Sequence, residues 1–271
     1  IKAAIKRADI VPNDIQDLIM GLCLFAGVKQ APARQAAHLA GIPWEAGATT
    51  ISKMCGSAMK ATMLAHDNII AGSHNIMVSG GMESMSKAPY ILPKARDGYR
   101  LGDGDVVRDH MFIDGLEDAY DEGRLMGSFA EDTAEHYQFT REAQDSYAIE
   151  SLRRAKHAVE EGGFNEEVTS VMVPDRKGER EVTTDEQPFN ANIEKIPHLK
   201  PAFRKNGTVT PANSSSISDG AAALVLMRRS EAEKRGLCPK AIIHAHATHS
   251  QEPNWFTTAP IGAIEKVLEK T

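Results

Sequence analysis

"ISKMCGSAMKATMLA", residues 51–65, sets a cysteine where a β-branched run gives way to a helical one. Upstream, "ATTISKM" (48–54) is rich in Thr and Ile and suits a strand. Downstream, Gly56 and Ser57 lead into "AMKATMLAHDNII" (58–70), made of good helix formers and apolar on almost every side. Cys55 is therefore expected at the C-terminal tip of a strand and the N-terminus of a helix.

Working outward, "DLIMGLCLF" (17–25) reads as a buried strand and "APARQAAHLAG" (31–41) as a helix stopped by Gly41 and Pro43. The segment 57–72 is the next helix and "NIMVSGG" (75–81) a third strand. Strands alternating with helices through short connections imply parallel pairing and right-handed crossovers. From Ser86 the pattern breaks: residues 87–110 mix Pro, Gly, Arg and Asp without periodicity and predict an extended excursion from the sheet. Two helical segments follow, the clearer at 140–163 with Thr140 as N-cap and Gly162–Gly163 as the stop. Residues 174–206, polar and broken by four prolines, predict an ordered surface segment. "GAAALVLM" (220–227) returns to a continuous apolar run like that of a central sheet strand, so the sheet domain is interrupted by an insertion of roughly 130 residues, subdomain-sized. "AIIHAHA" (241–247) is expected to begin another strand.

The 271 residues, 42% hydrophobic and 25% charged, are ordinary for a globular α/β protein. A net charge of −6 argues against a nucleic-acid partner, which requires clustered Lys and Arg. Cys23, Cys55 and Cys238 are three and far apart, which fits a reducing, cytoplasmic setting better than a disulfide framework. No apolar stretch is long enough for a membrane span. Both ends read as interrupted: helical spacing is already running at Ile1, Ala4, Ile5 and Ala8, and Ile264, Val267 and Leu268 share a helical face at the other end.

Cys55 carries two readings. Free cysteines are often small core residues. Yet a helix N-terminus favours negative charge and hence a thiolate, Gly56 permits close ligand approach, and the Cys55 N–H can meet an oxyanion. Nucleophile and oxyanion donor in one residue suit acyl transfer. His244 and His246 would share a face of a strand, but no acidic ligand is spaced to complete a metal site, and no metal is expected. "GDGDVVRD" (102–109) lacks the full calcium-loop pattern and reads as a polar turn. Neither a P-loop nor a dinucleotide-binding glycine motif is present.

"SKMCGSAMKA", with "APARQAA" upstream and "VSGGMESMS" downstream, resembles the thiolases, specifically acetyl-CoA acetyltransferases. The resemblance continues through "PYILPKARDGYRLGD", "MFIDGLEDAY", "AEDTAEHY", "TREAQDSYA" and "LKPAFRKNGTVTPANSSSISDGAAALVLM", and so covers essentially the whole chain in collinear order. It implies a layered αβαβα fold of duplicated βαβαβ sheet domains with an inserted loop domain. Residues 1–86 and 218–236 would be the first sheet domain, 87–217 the loop domain, and 237–271 the start of the second. It implies Cys55 as catalytic acyl carrier, with Leu116, Met126, Phe203, Ala212 and Ser215 at the CoA-contacting positions. The implied reaction joins two acetyl-CoA into acetoacetyl-CoA plus CoA, or reverses it; the CoA thioesters are substrates and no cofactor is implied. A homotetramer, a dimer of dimers, is implied as well.

Two positions depart from the family pattern: Leu125 stands where many relatives have His, and no Arg is in register near Pro188, so phosphate recognition is expected to be rearranged. The family's Gly-His-Pro and Cys-x-Gly-Gly-Gly segments, which hold its catalytic His and second Cys, do not occur in these residues, so the 271-residue chain alone is expected to lack turnover. The other readings are a non-catalytic CoA-binding or assembly protein of the same fold, a thiolase of longer chain preference, and a malonyl-using ketosynthase, which the Met-Cys-Gly-Ser context disfavours.

Overall fold

The structure is a computed structural model that describes residues 1–102, 107–176 and 178–271. In chain order its regular elements are α1 (Lys2–Arg7), β1 (Asp17–Gly21), α2 (Pro32–Leu39), β2 (Gly47–Ile51), α3 (Ser57–Ile70) and β3 (Ile76–Ser84). Then come the two-residue strands β4 (Tyr90–Ile91) and β5 (Arg108–Asp109), followed by α4 (Met126–His136) and α5 (Arg141–Glu160). The chain ends with β6 (Val171–Asp175), β7 (Gly178–Val182), α6 (Gln187–Asn190), β8 (Asp219–Met227), α7 (Arg229–Lys234) and α8 (Ala259–Leu268). Contacts divide it into two compact units, residues 1–124, 217–250 and 259–271 in one and 125–216 with 251–258 in the other.

The first unit is built on a four-stranded sheet in the order β2-β1-β3-β8. β1 pairs in parallel with both β2 and β3, as the alternation of strands and helices predicts. Side chains alternate across the pleat, so each face buries its own set. Leu18, Met20, Ile76 and Val78 pack with Ala33 and Ala37 of α2 and Ile5 of α1. Ile19 and Met77, on the opposite face, pack with Ala61, Ala65 and Ile69 of α3. The small residues at every fourth position of α3 let the helix lie close to the sheet. A polar crossing on this face is satisfied, the Thr62 and Ser79 hydroxyls meeting at 2.9 Å.

β8 corrects the expectation of a central-type strand. It lies at the end of the sheet, antiparallel to β3, with Leu224 exposed. Ala223, Val225 and Met227 help cover one face and Leu226 the other, so a run apolar on both sides is half-used at this position. Residues 241–247 form no strand. β-branched and apolar composition permits an extended chain, but a strand also needs a ladder partner, and no described strand pairs with this segment. The excursion after Ser86 is found as expected: β4 and β5 pair, a single π-helical turn covers Phe112–Leu116, and Tyr90, Leu92 and Tyr99 are exposed. The middle of the expected polar turn, 103–106, lies outside the described residues.

The second unit centres on α4 and α5. The Thr140 hydroxyl accepts the Ala143 N–H at 3.1 Å, the N-cap read from sequence, and α5 ends before Gly162 at φ +73°. Arg141, in the first turn, donates to Asp145 at 2.7 Å and to the Ile196 and Leu199 carbonyls at 3.0 and 2.9 Å. One guanidinium thus pins the proline-broken segment to α5. The exposed hairpin β6–β7, which begins three residues before the polar segment 174–206, was not read from the sequence.

Candidate active site

β2 ends at Ile51 and α3 begins at Ser57, and the five residues between them present Cys55 to solvent. Met54 reaches the left-handed region, φ +47°, which a side-chain-bearing residue adopts only when its surroundings hold it there. Those surroundings are two backbone bonds, Gly56 N–H to the Lys53 carbonyl at 3.1 Å and Ser57 N–H to the Met54 carbonyl at 3.0 Å. A side chain completes them. The buried Ser57 hydroxyl accepts the Lys53 N–H at 2.8 Å and donates to the Met54 carbonyl at 2.6 Å. The turn is closed on itself, and Cys55 stands at its outer corner, directly before the helix N-cap Gly56.

Cys23 lies beneath this turn. Its sulfur is 3.8 Å from the Ser57 oxygen. Burial pushes the Cys23 thiol up; the Ser57 contact opposes this, and the nearby Glu83 carboxylate and Cys55 add to the rise. Cys23 is thereby kept as a neutral thiol while Cys55 is the exposed one. Glu83 fixes the strand end that carries Cys23, accepting the Cys23 N–H at 2.8 Å and the Leu24 N–H at 3.4 Å. Close packing sets the depth of the whole arrangement. A Cβ on Gly21 would fall 2.4 Å from the Ser57 carbonyl carbon, and one on Gly81 2.7 Å from the Ala58 Cβ.

Ser57 is the residue that sequence reading passed over, because a serine after a glycine reads equally well as a helix-start residue. Its replacement by alanine is expected to cost about 1 kcal/mol, since the Lys53 N–H and the Met54 carbonyl each lose a side-chain partner. Urea unfolding of Ser57→Ala measures this; a loss below about 0.5 kcal/mol would mean that the backbone bonds alone hold the turn.

Of the other expected site residues, Leu116 is half-buried at the end of the π-helical turn in the first unit. Met126, Phe203, Ala212 and Ser215 belong to the second. Met126 opens α4, and Gly127 next to it lies under the Phe203 ring, where an added Cβ would come within 2.3 Å. Ala212, half-buried, and Ser215, exposed, share the loop after Thr210. The His244–His246 pair is not formed as read: with no strand at 241–247 the shared face disappears, His244 is exposed, and His246 turns to Asp67 of α3 at 2.7 Å.

A sheet covered on both faces, with a thiol set at a strand–helix joint, is the architecture of the thiolase-like α/β class. Residues 1–230 match the family described as "Thiolase, N-terminal domain", and the chain belongs to the thiolase family, acyltransferase enzymes of acetyl-CoA acetyltransferase-like type. The acetyl-CoA acetyltransferase of Cupriavidus necator is 45% identical over 272 residues, an alignment that takes in 100% of this chain and 69% of the relative. That of Schizosaccharomyces pombe is 44% identical, over 99% of this chain and 68% of its own. Among solved structures, the Acat5 thiolase of Ascaris suum in complex with coenzyme A superimposes with a TM-score of 0.92 at 40% identity, covering 99% of this chain and 68% of that one. The acetyl-CoA acetyltransferase of Syntrophomonas wolfei gives 0.93 at 39%, covering 99% and 67%. Among the described residues no helix is long and apolar enough to cross a membrane.

Proposed function

We propose that this chain supplies the acyl-accepting residue of an acetyl-CoA acetyltransferase, taking the acetyl group on Cys55. The observation that carries the reading is the exposed thiol at the corner of a turn locked by Ser57, one residue ahead of the α3 N-cap. The Cys55 thiolate attacks the carbonyl carbon of acetyl-CoA; a C–S bond forms, and CoA departs with a proton. The Cys55 N–H is the proposed donor to the transient oxyanion. A second acetyl-CoA then loses a methyl proton to a base, and its carbanion attacks the acetyl-Cys55 carbonyl. The new C–C bond gives acetoacetyl-CoA, and the C–S electrons return to Cys55 as thiolate. Thiolysis runs the same steps backwards. Covalent attachment divides one hard condensation into two easier displacements. The two bases are assigned to none of the residues described here.

Leu116, Met126, Phe203, Ala212 and Ser215 are the proposed CoA contacts; the Ascaris relative, solved in complex with coenzyme A, supports a ligand of the CoA family. In the same proposal 87–217 serves as the loop domain, 237–271 opens the second sheet domain, and the working form is a homotetramer. The test is incubation with acetyl-CoA followed by tryptic peptide mass spectrometry. An acetyl group is expected on peptide 54–60 and none after Cys55→Ala. Label on Cys23 or Cys238 with none on Cys55 would overturn the assignment.

A further inference from the structure

Spacing along the chain offers His246 no acidic partner, but the fold brings one from 179 positions away. The Asp67 Oδ1 atom lies 2.7 Å from His246 Nε2 and 3.3 Å from His66 Nδ1. One donor atom from each residue falls within 4.8 Å of the others. The two imidazoles meet edge to face with centroids 5.3 Å apart, so their nitrogens converge on the carboxylate instead of stacking past it. We propose that His66, Asp67 and His246 form a binding site for a divalent ion of the zinc class, held by two imidazoles and one carboxylate with water in the fourth position.

Two of the three donor edges suit that ion. Bonds of about 2.0–2.2 Å in a tetrahedral zinc site put neighbouring donor atoms about 3.3–3.5 Å apart. The His66–Asp67 separation is already that edge, and the His246–Asp67 pair reaches it by opening about half an ångström. Two nitrogens and one oxygen select zinc, cobalt or nickel over magnesium and calcium, which take all-oxygen shells. Access is open: the Asp67 side chain is 53% exposed, with His66 and His246 at 20% and 23%. Lys270 Nζ approaches the same segment but is taken up by the His246 carbonyl at 2.9 Å, and Lys266 Nζ by that of Thr248 at 3.4 Å; neither is among the ligand atoms.

The site also answers a structural need. Residues 241–250 have no strand or helix of their own, and an ion would tie them to α3 through His246. Mass action then makes the ion a stabiliser of that attachment.

The test titrates the tag-free, metal-stripped chain with Co²⁺ and reads the visible absorption of four-coordinate cobalt, with Zn²⁺ as competitor. The expected result is a saturable spectrum without sulfur charge transfer, displaced by Zn²⁺, with an upward shift in thermal midpoint. Asp67→Asn and His246→Gln are each expected to weaken binding by more than about tenfold, since even outer-shell partners of a metal are worth that much. His244→Gln, on the same segment and outside the triad, is expected to bind as the parent does. No four-coordinate spectrum at millimolar cobalt, a thiolate charge-transfer band, or unchanged affinity in His246→Gln would overturn the proposal. Because His246→Gln alters an irregular segment and no packed element, it keeps the test valid if Asp67→Asn perturbs α3.

Discussion

Gly21→Val is expected to destabilise the first unit by about 3 kcal/mol or more, the upper end of what overpacking costs. Gly21 ends β1, the strand bonded to β2 on one side and β3 on the other. A Cβ there would sit 2.4 Å from the Ser57 carbonyl carbon and 2.5 Å from the Ala58 nitrogen. Both are backbone atoms of the first turn of α3, so no side chain can swing aside. Either β1 gives up register with two neighbours, or α3 lifts from the sheet and carries the Cys55 turn with it. A domain's total stability is only about 5–15 kcal/mol, so a loss of this size is a large fraction of it. The contrast is Gly220→Ala, where nothing lies within 4 Å of the added atom and the change is expected to stay under about 0.5 kcal/mol. Paired urea unfolding curves decide: equal midpoints for the two variants would show that the strand–helix contact yields without cost.

That contact marks how far the sequence could be read. The order strand, helix, strand, helix, strand follows from periodicity alone, because β1 to β3 and α2, α3 each bury a face whose period is local. The placement of Cys55 follows from the same local change of period. What periodicity does not carry is who stands opposite. Gly21 looks like an ordinary strand glycine until α3 is laid over it, and Glu83 like an ordinary acid until the Cys23 and Leu24 N–H groups arrive from 60 and 59 positions away. The sequence spacing of His244 and His246 suggested a pair that does not form, because its premise was a strand and the ladder partner is not among the described residues. The partner that His246 does find, Asp67, is invisible at any local spacing. β8 failed in a related way: composition says that both faces are apolar, and cannot say that the strand closes the sheet as an antiparallel edge. Local chemistry set the place of Cys55 at the strand–helix joint, and non-local packing set the depth of the turn that carries it.

Glu131→Leu is expected to cost the second unit at least about 3 kcal/mol, because it strips the acceptor from three donors at once. Glu131 is buried on α4 and receives the Thr208 N–H at 2.8 Å, the Val209 N–H at 2.9 Å and the Thr208 hydroxyl at 3.1 Å. Gly207 lets the chain come this close, since a Cβ there would be 2.1 Å from the carboxylate. The loop is braced a second time by Asn213, which accepts the Thr210 N–H at 2.7 Å and donates to the Thr208 carbonyl at 3.0 Å and to Asp145 at 3.1 Å. Leucine fills a similar volume but accepts nothing, so the buried N–H groups must move to water and the loop must leave α4. Ala212 and Ser215 stand on that loop, and under the proposed assignment they touch CoA, so CoA affinity is expected to fall together with stability. Glu131→Gln keeps one oxygen acceptor and is expected to lose less on both counts. Thermal unfolding and calorimetric titration with CoA on the parent and both variants read the two effects separately. A Glu131→Leu protein within about 1 kcal/mol of the parent would refute the bracing role. Lost stability with unchanged CoA affinity would instead remove Ala212 and Ser215 from the binding set.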